Sequence, residues 1–142
     1  TGLNGKVNKE AAKEERFEMD ASREITVQFL TMVNESSPIK FGSQLKEIKV
    51  HPGQYYSVSF FAQNLTDKDM VARAIPSISP GLTAEYFIKT ECFCFTEQKF
   101  KPREYKTMPV RFVVNPKIPA DYKTMTLAYT FFDNTATATA RK

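Results

Sequence analysis

The sequence predicts an all-β fold, an immunoglobulin-like antiparallel β-sandwich of about seven strands. Three observations carry that prediction. Apolar residues recur with a period of two rather than 3.6. The runs are separated by short clusters of turn-forming residues. Their spacing along the chain is that of strands stacked in a sandwich.

Residues 1–22, TGLNGKVNKEAAKEERFEMDAS, are charged and poor in large apolar groups. Their composition between Lys6 and Glu18 favours helix, but no apolar stripe would hold that helix to a core. A linker is expected there. In REITVQFL, Ile25, Val27 and Phe29 share one face. QYYSVSFFAQN aligns Tyr56, Val58, Phe60 and Ala62. TMPVRFVVNP puts Met108, Val110, Phe112 and Val114 on one side, and TMTLAYTFF does the same for Met125, Leu127, Tyr129 and Phe131. The separators are NESSP, HPGQ, NLTDKD, SPG, KPRE and NPKIPAD. Pro76 and Pro109 interrupt their runs and belong at strand edges or bulges. The tail DNTATATARK, 133–142, has nothing to bury and is expected to be disordered. The folded domain is therefore expected over 23–132.

The rest of the composition narrows the function. A chain of 142 residues is most simply one domain. Its 42% hydrophobic and 13% aromatic content is globular, and 5 Gly and 8 Pro exclude collagen-like or low-complexity character. No run of 18 apolar residues is present to span a bilayer. A net charge of +4 suggests a mildly basic surface, with Lys99, Lys101, Arg103 and Lys106 close together. That cluster suits either docking to an acidic partner or anionic lipid, or a solvated strand end, and the spacing alone favours the second. Nucleic-acid binding would need more basic residues and a recognisable motif. Asn34-Glu35-Ser36 and Asn64-Leu65-Thr66 match the glycosylation sequon by spacing only.

The two cysteines, Cys92 and Cys94, lie in IKTECFCFTEQKF and are interleaved with Phe93 and Phe95. In an extended strand the sulfurs would share one face and the rings the other. Their Cα atoms would stand roughly 6.6 Å apart. A disulfide wants Cβ atoms about 3.8 Å apart, so closing the pair on itself needs a bent backbone. An ion between the sulfurs removes that difficulty, since two metal–sulfur bonds of about 2.3 Å set them about 4.6 Å apart. Two thiolates are too few for structural zinc, and His51, in its HPG turn, cannot supply the deficit. A soft, low-coordinate ion fits, which points to Cu(I). The same spacing also suits two small buried hydrophobes, a redox disulfide or an inter-chain pair. Met108 and Met125 fall on apolar faces where packing explains them. One histidine in a turn, with no phosphate-cradling loop and no Cys-x-x-Cys, argues against an enzyme.

ECFCFTEQ resembles the Cys-Phe-Cys-Phe-x-x-Gln run of the copper-delivery assembly proteins of cytochrome c oxidase, the CtaG family. VHPGQ, AQNLTDKDMV, YFIK, MPVRFVVNP and TLAYTFF resemble further stretches of that family, and TGLNG is similar to the segment after its membrane helix. Arg103 stands where the family has Gly, and Thr83, Ala84, Ser77 and Asn4 also depart from its pattern. The resemblance implies a copper chaperone rather than an enzyme, binding Cu(I) through Cys92 and Cys94. It implies delivery to the copper B site of cytochrome c oxidase subunit I, an upstream copper donor, and a possible homodimer sharing copper. It also implies a single-pass anchor in the inner membrane ahead of Thr1, with the domain on the periplasmic or intermembrane-space side. Phe93 and Phe95 are expected to anchor the strand and limit water near the sulfurs. A thiol-disulfide oxidoreductase and a non-metal interaction module are the alternatives.

Overall fold

The structure, a computed structural model, describes residues 14–136. It is a β-sandwich of nine strands: β1 (Ile25–Val33), β2 (Ile39–Ser43), β3 (Glu47–Val50), β4 (Tyr55–Asn64), β5 (Met70–Ser79), β6 (Phe87–Cys92), β7 (Gln98–Phe100), β8 (Tyr105–Val114) and β9 (Thr124–Asp133). One sheet has the order β3-β1-β9-β5-β7 and the other β2-β4-β8-β6. Short 3-10 turns, Gly81–Tyr86 and Phe93–Phe95, flank β6.

Nine strands replace the expected seven or so because β2, β3 and β7 have only five, four and three residues. Runs that short cannot display a period. The alternation in the long strands is borne out. Ile25, Val27 and Phe29 face inward from β1, and Met108, Val110, Phe112 and Val114 from β8. Met125, Leu127, Tyr129 and Phe131 do so from β9. One pairing departs from the antiparallel expectation: β1 and β9 run parallel, in register from Thr26↔Thr124 to Val33↔Phe131. Aromatic rings fill the space between the sheets. Phe60 sits edge-on to Phe29 at 5.7 Å and to Tyr129 at 5.1 Å, spacings at which rings gain beyond simple burial.

Both interrupting prolines occupy stretches with a neighbour on one side only. Pro76 pairs with Tyr129, beyond the reach of β7, which stops at Ala72. Pro109 faces Ser59, one residue past the last β6 pairing, Cys92↔Val110. A missing N–H costs no ladder bond at such positions.

Residues 1–13 of the expected linker, and 137–142 of the expected tail, lie outside the described residues. From Glu14 to Asp20 the chain crosses the outer face of the four-stranded sheet. Glu14 pairs with Arg111 of β8, Tyr55 donates to the Glu15 carbonyl at 2.6 Å, and the Asp20 amide donates to the Pro52 carbonyl. Arg23 then donates to the Ile118 carbonyl at 2.7 Å and the Pro119 carbonyl at 3.0 Å, while its own carbonyl accepts from His51 Nδ1. The segment therefore makes fixed contacts that its polar composition does not advertise. At the other end β9 continues to Asp133, and the Thr135 hydroxyl accepts from the Val71 amide. Among the described residues, no helix is long and apolar enough to cross a membrane.

Gly53 joins this amino-terminal segment to the sandwich. Its φ is +91°, and an added Cβ would lie 2.5 Å from the Glu18 carbonyl oxygen. Gly53→Ala should therefore cost about 2 kcal/mol, from the left-handed backbone alone, plus displacement of residues 18 and 19. Urea unfolding of the variant checks this, and an unchanged midpoint would show that the close approach carries no weight.

Candidate functional site

The site lies where the chain leaves β6, an edge strand of one sheet, and crosses to β7, an edge strand of the other. Strand parity alone would turn Cys92 outward. Lys89 faces inward opposite Phe112, and the residue three positions on should point the other way. The register shifts between Lys89 and Glu91, leaving Thr90 as an extra residue. Such a bulge reverses the parity of the residues beyond it. Thr90 turns to the outer face, where its hydroxyl donates to Glu14, and Cys92 comes in opposite Val110.

The backbone then leaves the extended conformation, with Phe93–Phe95 forming one 3-10 turn. This corrects the expectation of two sulfurs on a flat strand face with two rings behind them. Cys92 and Phe93 are both buried, and Cys94 and Phe95 are half-buried. The Cα atoms of the cysteines stand 5.0 Å apart, not 6.6 Å, and the sulfurs are bonded at 2.10 Å. The bend that a disulfide requires is supplied by the turn.

Two donors converge on Cys92 Sγ. The Cys94 amide donates at 3.1 Å, and the Tyr129 hydroxyl lies 2.9 Å away. A disulfide sulfur carries no hydrogen, so the hydroxyl is the donor. The same hydroxyl is 3.9 Å from Cys94 Sγ. Tyr129 is fully buried, and that burial pushes its phenol above the ordinary value, which keeps the O–H a donor. Lys89 brings its ammonium 6.0 Å from the Tyr129 ring centroid, and burial pulls its pKa down. Gln98 donates to the Phe93 carbonyl at 3.2 Å and so fixes the far end of the turn.

Phe93 is packed into the core at the turn. Its centroid lies 4.9 Å from Tyr129 and 5.4 Å from Phe60, with Phe41 and Phe131 also in contact. Phe95 packs against the core from a half-buried position. A groove of about 320 Å³ opens beside the turn, lined by Glu91, Cys92, Phe93, Gln98 and Lys106 among others. Cys92 exposes only 6% of its surface. Among the described residues no group of three or more His, Cys, Asp or Glu is placed to hold a metal ion. His51 is occupied by the Arg23 carbonyl.

Tyr129 and Lys89 were not among the residues singled out from the sequence as site residues. Tyr129 stood only as one more member of an apolar strand face. The available signal was its hydroxyl, since a tyrosine at an inward position needs a buried partner. Asn64, by contrast, is a structural residue and not a modification site. Its side chain is buried, donates to the Lys68 and Lys101 carbonyls, and accepts from the Thr66 amide and hydroxyl. The basic cluster is spread over a strand end and turn. Arg103, at φ +63°, pairs with the exposed Asp67, and Lys106 lies over the Phe100 ring at 4.9 Å.

The chain matches the model of the family described as cytochrome c oxidase assembly protein CtaG/Cox11 over residues 1–133. It is 37% identical over 134 residues to the mitochondrial cytochrome c oxidase assembly protein COX11 of Saccharomyces cerevisiae, covering 87% of this chain and 45% of that protein. It is 38% identical over 121 residues to the cytochrome c oxidase assembly protein ctaG of Reclinomonas americana, covering 82% and 66%. With CtaG of Ehrlichia ruminantium it shares 32% identity over 137 residues, covering 93% and 76%. The chain thus spans about half the length of the first of these relatives and about two thirds of the second.

The packing of the turn predicts an asymmetry between its rings. Phe93→Ala should cost about 3–5 kcal/mol, the range for deleting a buried aromatic ring, whereas Phe95→Ala should cost well under half of that. Equal losses in chemical denaturation would contradict the placement of Phe93 as the anchor.

Proposed function

This chain belongs to the cytochrome c oxidase assembly protein CtaG/Cox11 family, and from that premise we propose that its sandwich is a Cu(I) carrier serving assembly of the oxidase. One observation carries the reading: the only two thiols of the chain are held together on a single turn at the sandwich edge, one of them half-buried. Their chemistry suits the ion. Two soft sulfurs with no third protein ligand nearby among the described residues favour a monovalent, low-coordinate metal over zinc.

The bonded pair must first be opened. Two electrons and two protons from a thiol reductant convert the disulfide to two thiols, and Cu(I) then displaces the protons. The sulfurs need to part to about 4.6 Å to flank one ion, and the termini of a single 3-10 turn can widen by side-chain rotation alone. A Cu(I) dithiolate carries one negative charge. The metal remains open to a third donor, so transfer proceeds by ligand exchange without any change in oxidation state.

In this reading the recipient is the copper B site of subunit I, and an upstream donor loads the carrier. An anchor in the inner membrane would hold the domain on the periplasmic or intermembrane-space side, and two copies can share copper across a dimer. The family relationship supports these parts. A second reading, thiol-disulfide exchange as the activity itself, is favoured by the bonded state of Cys92 and Cys94.

Anaerobic titration with Cu(I) against a chromophoric chelator separates the two. Fully reduced protein should bind about one Cu(I) per chain and disulfide-bonded protein none. Cys92→Ala and Cys94→Ala should each lose tight uptake and keep the fold. Full affinity in either variant would sink the ligand assignment, and rapid catalysis of disulfide exchange in a model peptide, with no copper uptake, would favour the second reading.

A further inference from the structure

The two sulfurs are not equivalent, and the difference assigns them separate jobs. Cys92 is buried against the core and receives the two shorter of the three hydrogen bonds to the sulfur pair, from the Cys94 amide at 3.1 Å and from the Tyr129 hydroxyl at 2.9 Å. Cys94 is half-buried, and its sulfur meets the same hydroxyl only at 3.9 Å. We propose that Tyr129 makes the pair directional: Cys94 is the sulfur that meets incoming thiols and ligands, and Cys92 is the sulfur that Tyr129 and the Cys94 amide retain.

Reductive opening takes its direction from that asymmetry. An incoming thiolate attacks Cys94 Sγ, the sulfur with less protein around it. The new sulfur–sulfur bond forms as the Cys92–Cys94 bond breaks, and the electron pair leaves on Cys92 Sγ. Two donors already point at that atom, so the developing thiolate is stabilised without rearrangement; hydrogen bonds to charged groups are about twice as strong as those between neutral ones. A second thiol then releases Cys94 and carries away the reductant as its own disulfide. Tyr129 touches neither the attacking group nor Cys94 closely; it is a positioning residue that acts through Cys92.

The consequence for copper rests on the carrier reading. An incoming donor bonds the Cu(I), and the bond to Cys94 breaks. The electron pair stays on the Cys94 sulfur, which takes a proton from solvent, while Cys92 holds the ion until last. The Tyr129 ring is wedged against Phe60 and Phe93, so its hydroxyl cannot follow Cys94 outward.

Two copper-free measurements test the direction. One equivalent of iodoacetamide on the reduced protein should label Cys94 in preference to Cys92, as read by peptide mapping. Opening of the disulfide by glutathione should be roughly three- to tenfold slower in Tyr129→Phe than in the unaltered protein, because the leaving sulfur loses a charge-assisted donor. A merely structural role would give the opposite sign, since looser packing exposes the bond and speeds its cleavage. Preferential labelling of Cys92, or unchanged or faster opening in Tyr129→Phe, would overturn the proposal. Should that variant fail to fold, the labelling preference of the unaltered protein still decides the direction. A protein that shows both results but takes up no Cu(I) would refute the carrier reading and leave the direction standing.

Discussion

The contact on which the site depends is the burial of Tyr129 between the two sheets. Its ring packs against Phe60 of the facing sheet and Phe93 of the cysteine turn, and its hydroxyl reaches Cys92 Sγ. One side chain thus belongs at once to the core and to the sulfur pair. A buried phenolic O–H needs an acceptor, and the acceptor it finds is Cys92 Sγ. The core cannot repack around Tyr129 without moving the sulfur, and the sulfur cannot drift without stranding the hydroxyl.

That contact exists because β6 breaks the rule of its own geometry. Without the extra residue at Thr90, Cys92 would face solvent and Tyr129 would point at nothing polar. The bulge is stabilised on the far side of the sheet, where the Thr90 hydroxyl donates to Glu14 and Glu14 pairs with Arg111. The polar amino-terminal segment is therefore tied to the same short strand that delivers the cysteine. Bulges of this kind recur where a side chain must be re-aimed, and here one residue of slack converts an alternating strand into a platform for a sulfur pair.

The turn places its two sulfurs in different surroundings. Cys92 is buried and its sulfur accepts from the Cys94 amide and the Tyr129 hydroxyl, whereas Cys94 is half-buried. Lys89, on the same edge strand as Cys92, brings its ammonium over the Tyr129 ring at 6.0 Å.

Much of this was legible in the residues themselves. The period of two in β1, β4, β8 and β9 fixed the sandwich and most of its core, because strand parity is local and needs no knowledge of the partner strand. The Cys-Phe-Cys-Phe run marked the place of the site, because two thiols so close together are chemically distinctive wherever they lie. What alternation could not convey was the bulge at Thr90, the 3-10 turn at Phe93–Phe95 and the parallel pairing of β1 with β9. Each is settled by which chain lies alongside, and pairing energy is shared between segments far apart in sequence. The role of Tyr129 was hidden for the same reason. Thirty-five residues separate it from Cys94, and only the packing of one sheet on the other brings its hydroxyl to a sulfur.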